Sequence, residues 1–312
     1  MNNNNQTTVT EFIIIGLKNI HQNRMLFFTL LLLIYIAIFM GNCFIMTLVP
    51  TMTHLHTPMY FYLGNLSLSD VLLTTNIVPN MLHILWTEEE AMSIAGCVLQ
   101  FYIFGSLTAT ECLLLTVMSY DRYLAICNPL RYSSKMTSTR CRSLICFSWL
   151  VGFTPTLPVS VSVYKLQYCD LNTIDHFFCD LAPFLNLACS DTTTVKMLAF
   201  LLSFLVTFFP FLLIIMSYIS IMYTIIRMRS EKGRQKAFST CSSHLVVVSL
   251  YYGTLFILYG IPAQKHLIGI NKLLSLLYTI VTPLLNPVIY SLKNQEITKA
   301  FEKIFIIKSG LR

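Results

Sequence analysis

Residues Met25–Val49 read MLFFTLLLLIYIAIFMGNCFIMTLV, an unbroken stretch without a single charge. A helix needs roughly 20 apolar residues to cross the hydrocarbon layer of a bilayer, and within that layer every backbone amide and carbonyl must bond inside its own segment. Six more runs of the same kind follow: Met59–Val78, Ile94–Tyr120, Ser143–Tyr164, Met197–Ile226, Ala237–Pro262 and Leu267–Leu292. The expectation is an all-α membrane protein, a seven-transmembrane helix bundle. Asp70, Glu111 and Lys272 are the charges that fall inside these runs, and each needs a physical reason to be there.

Composition agrees. Of 312 residues, 55% are hydrophobic and 11% charged, against about 25% charged in a soluble protein. No stretch remains for a separate soluble domain. The chain divides into a tail (residues 1–24), the seven-span domain (25–292) and a final segment (293–312). The tail is polar, and the first apolar run is too long for a secretory signal and has no small-residue cleavage site, so it is expected to act as an uncleaved anchor.

Lysine and arginine give the orientation, because they stay on the cytoplasmic side. One set of loops holds Arg122, Arg131, Lys135, Arg140 and Arg142, then Arg227, Arg229, Lys232, Arg234 and Lys236, then Lys293, Lys299, Lys303, Lys308 and Arg312. The other side holds Lys18, Arg24, Lys165, Lys196, Lys265 and Lys272. This places the amino terminus outside and the carboxyl terminus inside the plasma membrane. The net charge of +7 is then a topology signal and a face for anionic lipid, and nucleic-acid binding is excluded because the charge is split among three loops. Asn5-Gln6-Thr7 is a glycosylation acceptor in the outer tail; Asn65-Leu66-Ser67 has the same pattern inside a span, out of reach.

Most connections are short. The exception, from about Lys165 to Lys196, carries Cys169, Cys179 and Cys189, and Cys97 lies near the start of the third span. Four cysteines on an oxidising side allow three disulfide pairings, and spacing does not choose among them. His176 and Cys179 with the neighbouring aspartates do not complete a zinc pattern; a disulfide-stapled loop is the simpler reading. After the last span, Ile297, Ala300, Phe301, Ile304 and Phe305 follow helical spacing with charged residues opposite, the pattern of a short amphipathic eighth helix on the inner membrane surface.

The run Met118-Ser119-Tyr120-Asp121-Arg122-Tyr123-Leu124-Ala125-Ile126-Cys127-Asn128-Pro129-Leu130-Arg131-Tyr132 closes the third span. It resembles the signature of the olfactory receptors, a branch of the rhodopsin-like (class A) G-protein-coupled receptors. Further blocks match in order: Leu55-His56-Thr57-Pro58-Met59-Tyr60-Phe61, Leu68-Ser69-Asp70, Ser217-Tyr218, Lys236-Ala237-Phe238-Ser239-Thr240-Cys241-Ser242-Ser243-His244-Leu245 and Pro283-Leu284-Leu285-Asn286-Pro287-Val288-Ile289-Tyr290. Tyr62 and Tyr251 stand where the family usually has phenylalanine, and both keep an aromatic ring.

The resemblance implies a receptor that binds a small volatile odorant and activates a heterotrimeric stimulatory G protein to raise cyclic AMP. It implies disulfides Cys97–Cys179 and Cys169–Cys189. It assigns activation and G-protein coupling to Asp121, Arg122, Tyr123, Tyr218, His244, Asn286, Pro287 and Tyr290. It places the ligand among Phe101, Phe104, Gly105, Thr108, Ala109 and Cys112 on the third span, Ser203, Val206 and Thr207 on the fifth, Leu255, Phe256 and Tyr259 on the sixth, and Leu276 and Thr279 on the seventh. Asp70 and Glu111, with Asn42 and Asn286, are expected to form a polar cluster that either holds a sodium ion as an allosteric modulator or keeps one carboxyl protonated. No other cofactor is expected.

Two other classes fit less well. A transporter would show paired repeats and interrupted helices, and seven spans do not halve evenly. An enzyme would need a convergent nucleophile, base or metal set, and no motif supplies one. The nearer alternative is a chemosensory receptor outside the nose that senses a metabolite.

Overall fold

The computed structural model describes residues 9–16, 23–169, 171–260 and 268–292. Asn5 and the expected amphipathic helix after residue 292 lie outside the described residues, as does the side chain of Tyr259.

Seven long helices form the body: α1 (Arg24–Thr51), α2 (Pro58–Thr87), α3 (Ile94–Cys127), α4 (Ser138–Tyr164), α5 (Thr193–Arg227), α6 (Glu231–Gly260) and α7, built from Ile268–Leu276, a π-helical turn Leu277–Val281 and Thr282–Leu292. Six are long and apolar enough to cross a membrane by length and composition. The other, α2, has 30 residues but is diluted by Asn65, Ser67, Ser69, Asp70, Thr74, Thr75, Asn76 and Asn80. Several helices run beyond the apolar stretches, α2 to Thr87 and α3 to Cys127, because hydropathy marks only the part in hydrocarbon while the helix continues through the polar interface. The protein is a multi-pass membrane protein.

α3 is the central helix. Two-thirds of its apolar stretch is buried (67%), against 17% for α5 and 22% for α1, whose outer faces meet lipid. Lipid tails are as apolar as leucine, so helices associate through close packing and hydrogen bonds rather than through escape from water. The α3–α4 seam illustrates this. Gly152 lies against Thr110 and the Ser106 carbonyl, the Ser106 and Thr156 hydroxyls bond at 2.6 Å, and Thr110 donates to the Ser106 carbonyl at 2.8 Å. Small residues let the backbones approach, and hydroxyls fill the seam.

Proline shapes α7. Pro287 has no amide to give the Pro283 carbonyl one turn earlier. Asn42 of α1 supplies the missing donor, its side-chain amide reaching that carbonyl at 3.1 Å. The vacancy that proline leaves in one helix thus becomes a bond to another.

One end of the bundle carries a feature the apolar runs do not reveal. A three-stranded sheet, ordered β2-β1-β3, joins β1 (Glu11–Ile14), β2 (Glu90–Ser93) and β3 (Thr173–Ile174). β1 pairs antiparallel with β2, Phe12 opposite Met92, and parallel with β3, Ile14 opposite Ile174. The tail read as polar therefore contributes a strand, and a small sheet caps the all-α membrane bundle. Phe12 and Ile14 are fully buried in a second apolar cluster with Tyr168, Cys179 and Phe184.

Candidate functional site

The long connection between α4 and α5 folds down over the bundle. Cys179 is bonded to Cys97 at the start of α3, and Cys169 to Cys189. The Cys179 amide donates to the Gln100 side-chain oxygen at 2.9 Å, and Gln100 is itself tied to Asn76 of α2. Phe177 and Phe178 are fully buried, with Phe178 against Phe104 of α3 at 5.0 Å between ring centres.

Lys272 of α7, the charge that needed a reason, clamps this lid. Its ammonium donates to the Gly16 carbonyl at 2.7 Å and to Asp175 at 2.6 Å, joining the end of β1, the loop and α7. Gly16 itself adopts a left-handed backbone, φ 59°, which glycine accepts without strain. The neighbouring His176 is buried between Phe177 and Phe178, near Ser275. Burial, reinforced by the Lys272 charge and opposed by Asp175, pushes its pKa down to about 3, so the ring is neutral.

Beneath the lid lies a cavity of about 480 Å³, within the range of small-molecule sites. Phe101, Phe104, Gly105, Thr108 and Ala109 of α3, Ser203, Val206 and Thr207 of α5, and Leu255 and Phe256 of α6 line it, as the sequence leads one to expect. Cys112, Leu276 and Thr279 do not. Cys112 is fully buried one turn below, its sulfur against Tyr251. Leu276 packs on the apolar core, and Thr279 is fully buried with its hydroxyl bonded back to the Ser275 carbonyl.

Sequence reasoning missed Thr156, Val159 and Ser160 of α4, Asp180 and Leu181 of the lid, and Ala199, Phe200, Leu202, Phe204 and Phe208 of α5. The spacing of Phe200, Phe204 and Phe208 at every fourth position was a readable stripe. A π-helical turn, Phe204–Phe208, occupies this part of α5; such turns are frequent at functional sites. Among the described residues no cationic side chain lines the cavity. The Thr156 and Ser160 hydroxyls are bonded within α4. The Thr108 hydroxyl is buried and has no partner among the described residues.

The cavity is wired to α6. The Tyr251 hydroxyl donates to the Thr108 carbonyl at 2.9 Å, and that of Tyr252 to the Cys112 carbonyl at 3.3 Å. Tyr251 also faces Glu111. Glu111 and Asp70 are 2% and 1% exposed and close enough to interact electrically. Asn286 donates to one Asp70 oxygen at 2.9 Å. Ser69 also faces Glu111. Around them, one oxygen each of Asp70, Glu111, Asn42 and Asn286, and the hydroxyls of Ser67 and Tyr290, are buried without a described partner. Such a concentration of unsatisfied oxygens at bundle depth is costly, and it is the chemistry of a pocket that takes water or a cation. Among the described residues no group of three or more histidine, cysteine, aspartate or glutamate side chains forms a metal cluster.

At the far end, Arg122 pairs with its neighbour Asp121 at 2.9 Å. The other Asp121 oxygen accepts from Tyr132 at 2.8 Å, on a short helix, Pro129–Lys135. The Tyr218 hydroxyl bonds the His244 ring at 2.7 Å, linking α5 to α6. Tyr123 stacks on Tyr120. The Tyr290 hydroxyl and the Arg122 Nε remain without a described partner. The arginine is thus held by its own neighbour, with further polar groups close by to receive it.

A lipid-spanning bundle of seven helices, with a capped small-molecule cavity near one end and a bonded acid–arginine pair at the other, defines a seven-helix membrane receptor. A sequence profile of the olfactory receptors matches residues 31–308. Similar chains include Olfactory receptor 11A1 of Homo sapiens, 45% identical over 96% of this chain and 95% of the relative. Olfactory receptor 5G9 of Mus musculus is 44% identical over 96% of each, and Olfactory receptor 11L1 of Homo sapiens 43% identical over 98% of this chain and 95% of the relative. The chain belongs to the olfactory receptor family, a family of receptors rather than enzymes.

Proposed function

We propose that this receptor binds a small, neutral, weakly polar odorant in the cavity beneath the lid and passes the signal to a heterotrimeric G protein of the stimulatory olfactory type, raising cyclic AMP. The observation that carries the reading is a mostly apolar cavity walled by Thr108, the residue whose carbonyl holds Tyr251 of α6. A ligand seated against Thr108 acts on the residue that joins cavity to helix. An odorant that fits one packing of α3 against α6 better than the other shifts the population by its differential affinity. The Asp121–Arg122 pair then opens, and α6 moves away from α5 at the Tyr218–His244 bond. This leaves a groove flanked by the basic segment Arg227–Lys236 for the carboxyl-terminal helix of the G-protein α subunit.

The excess of lysine and arginine on the Asp121 side supports a cytoplasmic placement of that end and an outside amino terminus. The two disulfides at the opposite end need an oxidising compartment and support the same orientation, with glycosylation at Asn5 and the receptor in the plasma membrane. The unsatisfied oxygens around Asp70, Glu111 and Asn286 support sodium as an allosteric modulator.

The test is a cyclic AMP assay in cells that co-express the G protein, with an odorant panel that includes alcohol, ketone and carboxylic acid versions of one carbon skeleton. Alcohols or ketones are expected to activate and acids to fail, because among the described residues no cation lines the cavity and Asp180 does. Thr108→Ala is expected to weaken oxygenated ligands most. A surface-displayed receptor silent to the whole panel overturns the reading.

A further inference from the structure

The walls of the lidded cavity differ in how firmly they are shut. Toward the lid, Cys97–Cys179 and Cys169–Cys189 pin the loop. Lys272 holds Gly16 and Asp175, and Phe177 and Phe178 are fully buried. Toward the bilayer the wall is thin. Phe200, Phe204 and Phe208 of α5 line the cavity, yet they are 68%, 47% and 41% exposed. Phe256 of α6 lines it too and is 37% exposed. Ser203 decides the matter. Its side chain is too short to bridge a wall, and it both lines the cavity and is exposed. The cavity therefore reaches the flank of the bundle here.

The ring contacts show which seam this is. Phe211, less than one turn beyond Phe208, packs against Tyr252 and Phe256 of α6 at 4.9 and 4.8 Å between ring centres. The aromatic stripe of α5 thus looks toward α6, and the Phe211–Tyr252–Phe256 cluster closes the seam below the opening. Phe204 and Phe208 stack on each other at 5.4 Å along the π-helical turn and form one side post.

The opening faces hydrocarbon. Phe200 to Phe208 lie about 5–17 Å beyond Met197, where the apolar run of α5 begins, at about 1.5 Å per residue. Each methylene enriches a neutral molecule in hydrocarbon over water about fourfold. An apolar odorant is therefore far more concentrated at this flank than above the lid. A carboxylate or ammonium stays out, because hydrocarbon offers it no solvation.

We propose that the odorant enters and leaves this cavity sideways, from the leaflet on the lid side, through a portal between α5 and α6 rimmed by Phe200, Ser203, Phe204, Phe208 and Phe256. The inference rests on the reading of this cavity as the odorant site. The portal admits molecules that dissolve in hydrocarbon and refuses charged ones, so ligands are selected before they touch the inner wall. It also delivers the guest beside α6, the helix whose Tyr251 holds the Thr108 carbonyl.

The experiment is timed photolabelling of the full-length receptor in phosphatidylcholine nanodiscs, with octanol carrying a diazirine on its chain. Light at set intervals after mixing, followed by peptide mass spectrometry, reports how fast the α3 wall from Phe101 to Ala109 is filled. Phe200→Cys and Leu201→Cys, each in a Cys146→Ser background that removes an exposed free thiol, are coupled to pyrene maleimide. Leu201 is the control, 51% exposed at the same depth and not part of the cavity wall. Pyrene at position 200 is expected to slow filling about tenfold toward an unchanged plateau. Pyrene at position 201 is expected to leave rate and plateau as they are in the uncoupled receptor. Equal slowing at the two positions, no slowing at position 200, or a lowered plateau reached at an unchanged rate would overturn the portal alone. A wild-type wall that takes no label would overturn the odorant reading, and the portal with it.

Discussion

The seam between α3 and α4 makes Gly152→Ala the most demanding single substitution. A Cβ at position 152 would lie 2.1 Å from the Thr110 hydroxyl oxygen and 2.8 Å from the Ser106 carbonyl oxygen. Ordinary contact begins at 3.4 Å, so the helices must part by about 1.3 Å, the difference between 3.4 and 2.1 Å. The hydroxyl cannot simply turn aside without giving up its 2.8 Å bond to the Ser106 carbonyl. Overpacking of this kind costs about 1–3 kcal/mol, which is roughly a 5- to 150-fold change in a folding equilibrium. The displacement also reaches Thr156, Val159 and Ser160, one to two turns further along α4, which line the cavity. The expected outcome is a lower thermal midpoint for the detergent-solubilised receptor, reduced surface display by flow cytometry, and a weaker odorant response per displayed molecule. Thr110→Ala in the same chain removes the 2.1 Å contact and leaves the one at 2.8 Å, so it should recover part of the loss. A Gly152→Ala receptor with wild-type midpoint and display, or a double variant no better than the single, would refute this account of the seam.

Tyr132→Phe removes the 2.8 Å hydrogen bond to Asp121; bonds to a charged group are worth about 1.5–3 kcal/mol, so basal cyclic AMP should rise several-fold at equal surface level, and an unchanged basal signal counts against the proposed latch. His176 predicts acid sensitivity of the lid: its folded pKa, about 3, lies below the free value near about 6.5, so its contribution is intact above about pH 6.5. It is lost at about 1.4 kcal/mol per unit as pH falls toward about 3. Hydrogen exchange across 173–180, corrected for intrinsic rate, should speed up about fivefold between pH 6.5 and 5.5; His176→Phe should abolish that change, and a wild-type lid indifferent to pH would show that another group sets its stability.

The membrane body was legible because lipid imposes a simple requirement that the sequence meets seven times. The Asp121–Arg122 pair and the proline break in α7 were legible as well, the first because of the longer run Met118–Tyr132 around it and the second because proline lacks an amide. What could not be read was which face of each span looks inward. In lipid, interior and exterior are both apolar, so Thr156 and Ser160 on α4 gave no periodic contrast to mark them as cavity residues. For α7 the difficulty has a definite cause. The resemblance places Leu276 and Thr279 on the cavity, but a π-helical turn at Leu277–Val281 interrupts the regular 3.6-residue face of α7, and both lie off it. The strand Glu11–Ile14 was hidden by brevity: four residues of alternation gain meaning only once their partners, distant in sequence, are known. Lys272 read as an anomaly because the Asp175 and Gly16 groups that accept from it lie 97 and 256 positions away.

That distance has a consequence for how the protein is made. β1 emerges from the ribosome ahead of every helix, yet one neighbour, β2, follows α2, and the other, β3, follows α4. Its ladder with β2 can close once two helices are threaded, but the one with β3 must wait for four. The sheet is therefore completed only after more than half of the chain is made, and a leader or epitope fused ahead of residue 9 rides on a strand that pairs in two steps.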